Sequence, residues 1–201
     1  MPFIETSGKT TLCCNDRAPR DAETSPVVLI HGWPLDDDMW EYQSGFLASQ
    51  GLRVITCDRR GFGRSSQPWT GYDYDTLADD QRTVLDRLEL TGVTLAGFSM
   101  GGGEVARHNG ARIARTVLVS AVTPLLQTPT NPDGVDKTVF DQMAEGLQQD
   151  RPNFLAASMI RGAQLKVYDG APHALFFTGK DHLNQDLLAF ITVNRPNSTR
   201  P

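Results

Sequence analysis

The chain has 201 residues, 39% of them hydrophobic and 21% charged, with a formal net charge of -5 at pH 7. That length accommodates one domain with its own core, and the composition is that of a globular protein. The acidic balance argues against nucleic acid as a partner, because no basic stripe is available to release counterions from a phosphate backbone. The nearest cationic cluster, Arg59-Arg60 with Arg64, lies beside Asp58 in a glycine-rich turn and reads as local structure.

Met1-Pro2 runs straight into an alternating segment, without the basic and then apolar stretch of a secretory leader. The longest apolar runs, such as Val27-Val28-Leu29-Ile30, are too short to span a bilayer. Cys13, Cys14 and Cys57 form an odd set without metal-ligand spacing and read as reduced strand residues. Together these features predict a cytoplasmic protein with no membrane partner.

In chain order, residues 2–6 and 10–14 predict a hairpin across Ser7-Gly8-Lys9, followed by a polar loop over 15–26. Residues 27–30 predict a strand buried on both faces, and 40–50 a helix stopped by Gly51. A strand over 53–57 precedes an amphipathic helix over 75–90, with Leu77, Val84, Leu85 and Leu88 on or near one face. A strand over 93–98 leads through Ser99 into a helix, and 116–122 predicts another strand. Prolines 124, 129, 132 and 152 break the stretch that follows around one helix near 136–149. A final strand over 165–168 and a helix over 181–193 precede a frayed tail from Arg195. Strands alternating with helices predict an α/β fold, a mostly parallel sheet flanked by helices, whose ligands sit at the carboxyl ends of the strands.

The motifs fall at those ends. Gly97-Phe98-Ser99-Met100-Gly101 fits Gly-x-Ser-x-Gly between a strand and a helix. There the serine rides a strained turn that lifts its hydroxyl clear of the sheet, and small neighbours avoid clashes. His31-Gly32-Trp33-Pro34 follows the first buried strand. It serves as a tight loop tied down by His31, and also places the Trp33 amide to form an oxyanion hole with the Met100 amide. A serine hydroxyl needs a base to accept its proton. Of four histidines, His31 is in that loop, His108 lies along the helix after Ser99, and His182 opens the last helix. His173, in Gly170-Ala171-Pro172-His173 after the last predicted strand, is the expected base.

The chain resembles the cofactor-free haloperoxidase, perhydrolase and arylesterase group of the α/β-hydrolase family. The resemblance is carried by His31-Gly32-Trp33-Pro34, by Asp58-Arg59-Arg60-Gly61-Phe62-Gly63-Arg64-Ser65-Ser66-Gln67-Pro68-Trp69, and by Ser99-Met100-Gly101-Gly102-Gly103-Glu104-Val105-Ala106-Arg107. Leu165-Lys166-Val167-Tyr168, Gly170-Ala171-Pro172-His173 and Asp186-Leu187-Leu188-Ala189-Phe190-Ile191 extend it. It implies hydrolysis of small carboxylic esters through an acyl-serine, without metal or other cofactor, and with peroxide able to replace water in deacylation. It also implies that Trp33 and Phe98 line a small apolar acyl pocket.

Against that family the chain is short between the helix near 136–149 and the strand at 165–168. There the family carries most of a helical cap, a further strand and the acid of its catalytic triad. The chain therefore reads as a single domain over 1–201, with 123–163 a reduced cap remnant. Residues 151–163 contain no Asp or Glu, which leaves the acid unassigned. Asp169 is a weak candidate, Asp141, Glu145 and Asp150 weaker, and a partner chain another source. Either strand 165–168 closes the sheet or a second copy pairs with its edge. The competing reading is a catalytically impaired remnant that binds a small acyl compound or a protein. A third keeps the fold but uses serine and histidine for proton transfer, and nothing in the sequence selects it.

Overall fold

The computed structural model describes residues 3–6, 8–17, 25–107, 112–121, 138, 164 and 166–193. The chain divides into two units, Met1–Val122 with Pro172–Pro201, and Thr123–Ala171. The first unit contains six strands: β1 (Phe3–Glu5), β2 (Thr11–Arg17), β3 (Val27–Ile30), β4 (Val54–Cys57), β5 (Val93–Phe98) and β6 (Ile113–Val119). They form one sheet in the order β1-β2-β4-β3-β5-β6. β1 pairs with β2, and β2 with β4, in antiparallel fashion, while β4, β3, β5 and β6 run parallel. Every residue of β3, β4 and β5 is buried, as expected of parallel strands covered on both faces. Their contiguous apolar sequence is the local cause.

The helices of this unit are α1 (Glu41–Ser49), α2 (Tyr74–Arg87), α3 (Gly101–Arg107), α4 (Leu175–Thr178) and α5 (Lys180–Thr192), with a 3-10 turn at Asp37–Trp40 leading into α1. Asp73 starts α2 by accepting the Thr76 N–H, satisfying one of the unpaired amides of a first turn. Leu77, Val84 and Leu85 are buried along α2, and Leu88 packs against the same core. No described helix is long and apolar enough to cross a membrane.

Three expectations change. β2 continues to Arg17 where a loop was expected, because Asn15, Asp16 and Arg17 pair with Thr56, Ile55 and Val54. Asp16 also binds Arg53 of the neighbouring segment at 2.7 Å, so polar residues find partners beside β4. β6 spans Ile113–Val119 rather than 116–122, its ladder with β5 starting at Val93 opposite Ile113. In the second unit, residues 166–168 are not strand. Lys166 and Val167 are exposed there, and the segment turns at once through Asp169-Gly170, with the Ala171 N–H bonded to the Tyr168 carbonyl. So short a run offers few ladder hydrogen bonds against the entropy of ordering it. Closure of the sheet by this segment is therefore corrected, and β6 has β5 as its strand neighbour among the described residues. The helix expected near 136–149 (Thr138 apart), His108, Asn109, Gly110, Asp141, Glu145, Asp150, residue 165 and the tail from 195 lie outside the described residues.

The cysteines also depart from expectation. Cys14 and Cys57 face each other across β2 and β4 and are joined by a disulfide, while Cys13 is a buried thiol. The two lie 43 positions apart in sequence, so their proximity exists only once the antiparallel register is set.

Candidate active site

β5 delivers Phe98 and Ser99 to the carboxyl edge of the sheet. Ser99 has φ +51°, in the left-handed region where a side chain is rarely tolerated. The turn is held by the Ser99 N–H to the Val119 carbonyl at 3.0 Å and by the Gly102 N–H to the Ser99 carbonyl at 3.0 Å. The flanking glycines are sterically required. A Cβ at Gly101 would lie 2.7 Å from the Ile30 carbonyl oxygen, and one at Gly97 would strike the backbone of Gly101. Packing between β5, α3 and the end of β3 thus explains the small residues on both sides of the serine.

His173 sits between the end of the Tyr168–Ala171 turn and α4. Its Nε2 lies 3.1 Å from Ser99 Oγ. With the hydroxyl as donor, Nε2 accepts, the arrangement in which a histidine can take a serine proton. Residues 74 positions apart therefore meet. No carboxylate among the described residues hydrogen-bonds His173, and Asp169 is an exposed turn residue. His182 is exposed on α5.

The loop after β3 lies against Ser99. A Cβ at Gly32 would come within 3.0 Å of Ser99 Cβ and 2.7 Å of the Phe98 ring. Trp33 follows with 67% of its surface exposed, and Met100 is half-buried. His31 is fully buried, and its Nε2 accepts the Arg59 N–H at 3.0 Å. The proton is therefore on Nδ1, which donates to the Gly32 carbonyl at 3.1 Å. Burial, and then the Arg59 charge, lower its pKa to about 4, so it is neutral at pH 7. His31 ties the loop to the end of β4.

Beneath the loop lies a buried charge network whose partners sequence spacing did not connect. Arg59 pairs with Glu104, both within 2% of complete burial, on the helix that follows the elbow. Burial raises the Glu104 pKa to about 7 against the opposing Arg59 charge. Arg60 makes a two-pronged bond to Asp80 at 2.6 and 2.7 Å. Arg64 bonds Asp58 and Asp37. Asp58 also accepts the backbone N–H groups of Asp37 and Arg64, which outweigh its burial and hold its pKa below the usual range. Burial, and then the contact with Asp58, push Asp37 up. The cationic cluster is thus consumed internally, in keeping with its reading as local structure. The carboxylates of Asp36, Asp37 and Asp58 lie within 4.8 Å of one another, two of them already committed to Arg64. A cavity of about 300 Å³ is lined by Arg17, Asp37, Asp38 and Glu41, none of which belongs to the Ser99 site.

Two aromatic residues near His173 carried no signal in the sequence. Trp40 and Phe176 pack with Phe98 into a cluster that reaches the imidazole. Phe176 stands three residues after His173, but Trp40 arrives from the 3-10 turn before α1.

A sheet of this topology, with a serine on a strained strand-to-helix turn and a histidine bonded to it, is the arrangement of the α/β hydrolases. Residues 25–165 match the family described as the alpha/beta hydrolase fold, and the chain belongs to that family. A putative non-heme chloroperoxidase from Synechocystis sp. is 51% identical over 137 residues, 66% of this chain and 50% of the relative. A bifunctional esterase/perhydrolase from Acinetobacter calcoaceticus is 42% identical over 160 residues, 77% of this chain and 57% of the relative. Among solved structures, a bromoperoxidase from Bacillus anthracis has a TM-score of 0.70 at 30% identity, covering 96% of this chain and 99% of that one. The chain spans about half the length of the curated relatives it matches. The resemblance read from the motifs is borne out at the level of family and group.

Proposed function

We propose that the chain is a serine esterase for small carboxylic esters, with perhydrolysis as a side activity. The carrying observation is the contact of 3.1 Å between Ser99 Oγ and His173 Nε2 at the elbow. Ser99 Oγ attacks the ester carbonyl as its proton passes to Nε2. The Trp33 and Met100 amides receive the oxyanion, each contributing about 3 kcal/mol at such a site. Collapse expels the alcohol, which takes the proton from the imidazolium. Water then attacks the acyl-serine, His173 accepts its proton, and the carboxylic acid leaves as that proton returns to Oγ. Hydrogen peroxide in place of water gives the peracid by the same proton movements. The esterase/perhydrolase and chloroperoxidase relatives support this pairing of activities.

Exposed Trp33 offers the acyl group an apolar wall, and Phe98 backs the site from beneath. We read residues 1–201 as one hydrolase domain, with 123–163 a reduced remnant of the family's cap. A cytoplasmic setting is part of this reading. It requires the Cys14–Cys57 bond to persist by burial, since exposed disulfides are reduced there.

The test is p-nitrophenyl acetate hydrolysis by the wild type, Ser99→Ala and His173→Ala. Activity should fall to background in both variants. If, as among the described residues, no carboxylate holds His173, turnover should lie up to about 10⁴-fold below that of a complete triad. That same lack of a described carboxylate favours one rival, a binding module descended from a hydrolase. Hydrolysis absent from the wild type, or indifferent to Ser99, would establish the rival.

A further inference from the structure

The His173 imidazole turns about two side-chain bonds, and its contact with Ser99 fixes one ring atom only. In a triad a carboxylate on Nδ1 supplies the second point of attachment. Among the described residues the second contact is aromatic. The rings of Phe98 and His173 have centroids 4.8 Å apart and planes inclined at 40°.

Phe98 is itself immobilised. It is 2% exposed, meets Phe176 edge-on at 4.9 Å and Trp40 edge-on at 6.5 Å, and has Gly32 pressed against its ring. Trp40 is completely buried and touches Phe176 in turn at 6.4 Å. The Gln43 side-chain amide donates to the Phe176 carbonyl at 2.9 Å, fastening α4 to α1. The ring against His173 is thus anchored from the 3-10 turn, α1 and α4. It also immediately precedes Ser99, so one strand end carries both the nucleophile and the surface that orients its base.

We propose that Phe98 is a positioning residue for His173, its ring, backed by Phe176 and Trp40, setting the imidazole plane so that Nε2 faces Ser99 Oγ. It also presents a π surface to the imidazolium formed when Nε2 accepts the proton, an attractive interaction for a cation. This inference rests on the reading of Ser99 and His173 as nucleophile and base, and it assigns Phe98 a task beyond lining the acyl site.

Steady-state hydrolysis of p-nitrophenyl acetate by the wild type, Phe98→Leu and Phe98→Tyr tests it, with thermal melts to confirm folding. Aromatic pairs of this kind correspond to about a three- to tenfold effect. Phe98→Leu should lose kcat by that factor with KM within about twofold, and Phe98→Tyr, which keeps the ring, should recover most of it. A rise in KM with kcat unchanged would make Phe98 a pocket wall only and overturn the proposal. If Phe98→Leu does not fold, Phe176→Leu, at the half-buried residue behind the ring, carries the same test. If the wild type shows no Ser99-dependent hydrolysis, the esterase reading fails separately, and NMR decides the positioning. His173 ring protons should then show upfield ring-current shifts and contacts to Phe98 that vanish in Phe98→Leu. Shifts indifferent to that substitution overturn the proposal.

Discussion

His31 and His173 are held in opposite ways by their surroundings. His173 is exposed beside Ser99, whereas His31 is sealed between an N–H donor and a carbonyl acceptor and cannot accept a proton without losing the bond to Arg59. Its folded-state pKa of about 4 lies below the ordinary 6.5, so the unfolded chain takes up the proton first as pH falls. The stability contributed by neutral His31 is complete above about pH 6.5 and is lost as pH drops towards 4, a change of about 3 kcal/mol. Glu104, raised to about 7 from 4.5, runs the other way: its contribution is present below 4.5 and lost as pH rises towards 7. The wild-type curve therefore mixes opposite slopes. Subtracting the urea stability of His31→Gln from that of the wild type isolates the histidine. The difference should shrink by about 3 kcal/mol between pH 7 and pH 4, and a pH-independent difference would contradict the buried neutral assignment.

At the scale of elements, β2 and β4 are stitched twice, by an antiparallel ladder and by the Cys14–Cys57 bond. That bond closes a loop containing the 3-10 turn, α1 and all of β3, so in the unfolded chain it constrains the segment that carries His31 and the turn after β3. With the cysteines 43 positions apart, the chain-entropy relation gives a stabilisation of about 4 kcal/mol. Cys14→Ala with Cys57→Ala should lower the urea midpoint accordingly, and reductant present during unfolding should lower the wild-type midpoint but not that of the variant. Equal midpoints with and without reductant would mean that the thiols are unpaired in solution. Adjacent Cys13 and Cys14 could be assigned to opposite strand faces from sequence alone. Which of them meets Cys57 depends on a register that polar Asn15, Asp16 and Arg17 concealed by looking like loop.

For the molecule as a whole, the unsettled element is the edge of the sheet. β6 ends in partly exposed Leu118 and buried Val119, and the segment expected to pair beyond it is not strand. The remaining sequence-based alternative, pairing with a second copy, predicts a concentration-dependent dimer in sedimentation equilibrium. Leu118→Lys, a charge on the edge strand, should return it to monomer. A monomer at every concentration would discard that alternative.

The apolar runs of β3, β4 and β5, the amphipathic α2 and the Gly-x-Ser-x-Gly turn were legible because each is encoded by neighbours in sequence through strand burial, helical periodicity or steric demand. The sequence by itself therefore determined the parallel core and the Gly-x-Ser-x-Gly turn, and it pointed to His173, among four histidines, as the one to expect beside Ser99. Only the tertiary structure decided the extent of β2, the Cys14–Cys57 pairing, the Arg59–Glu104 pair beneath the elbow and the aromatic cluster against His173. These depend on which surfaces of distant elements meet once burial and backbone pairing have fixed the register. No local pattern records that, so Trp40, 133 residues from His173, could be found only in the fold.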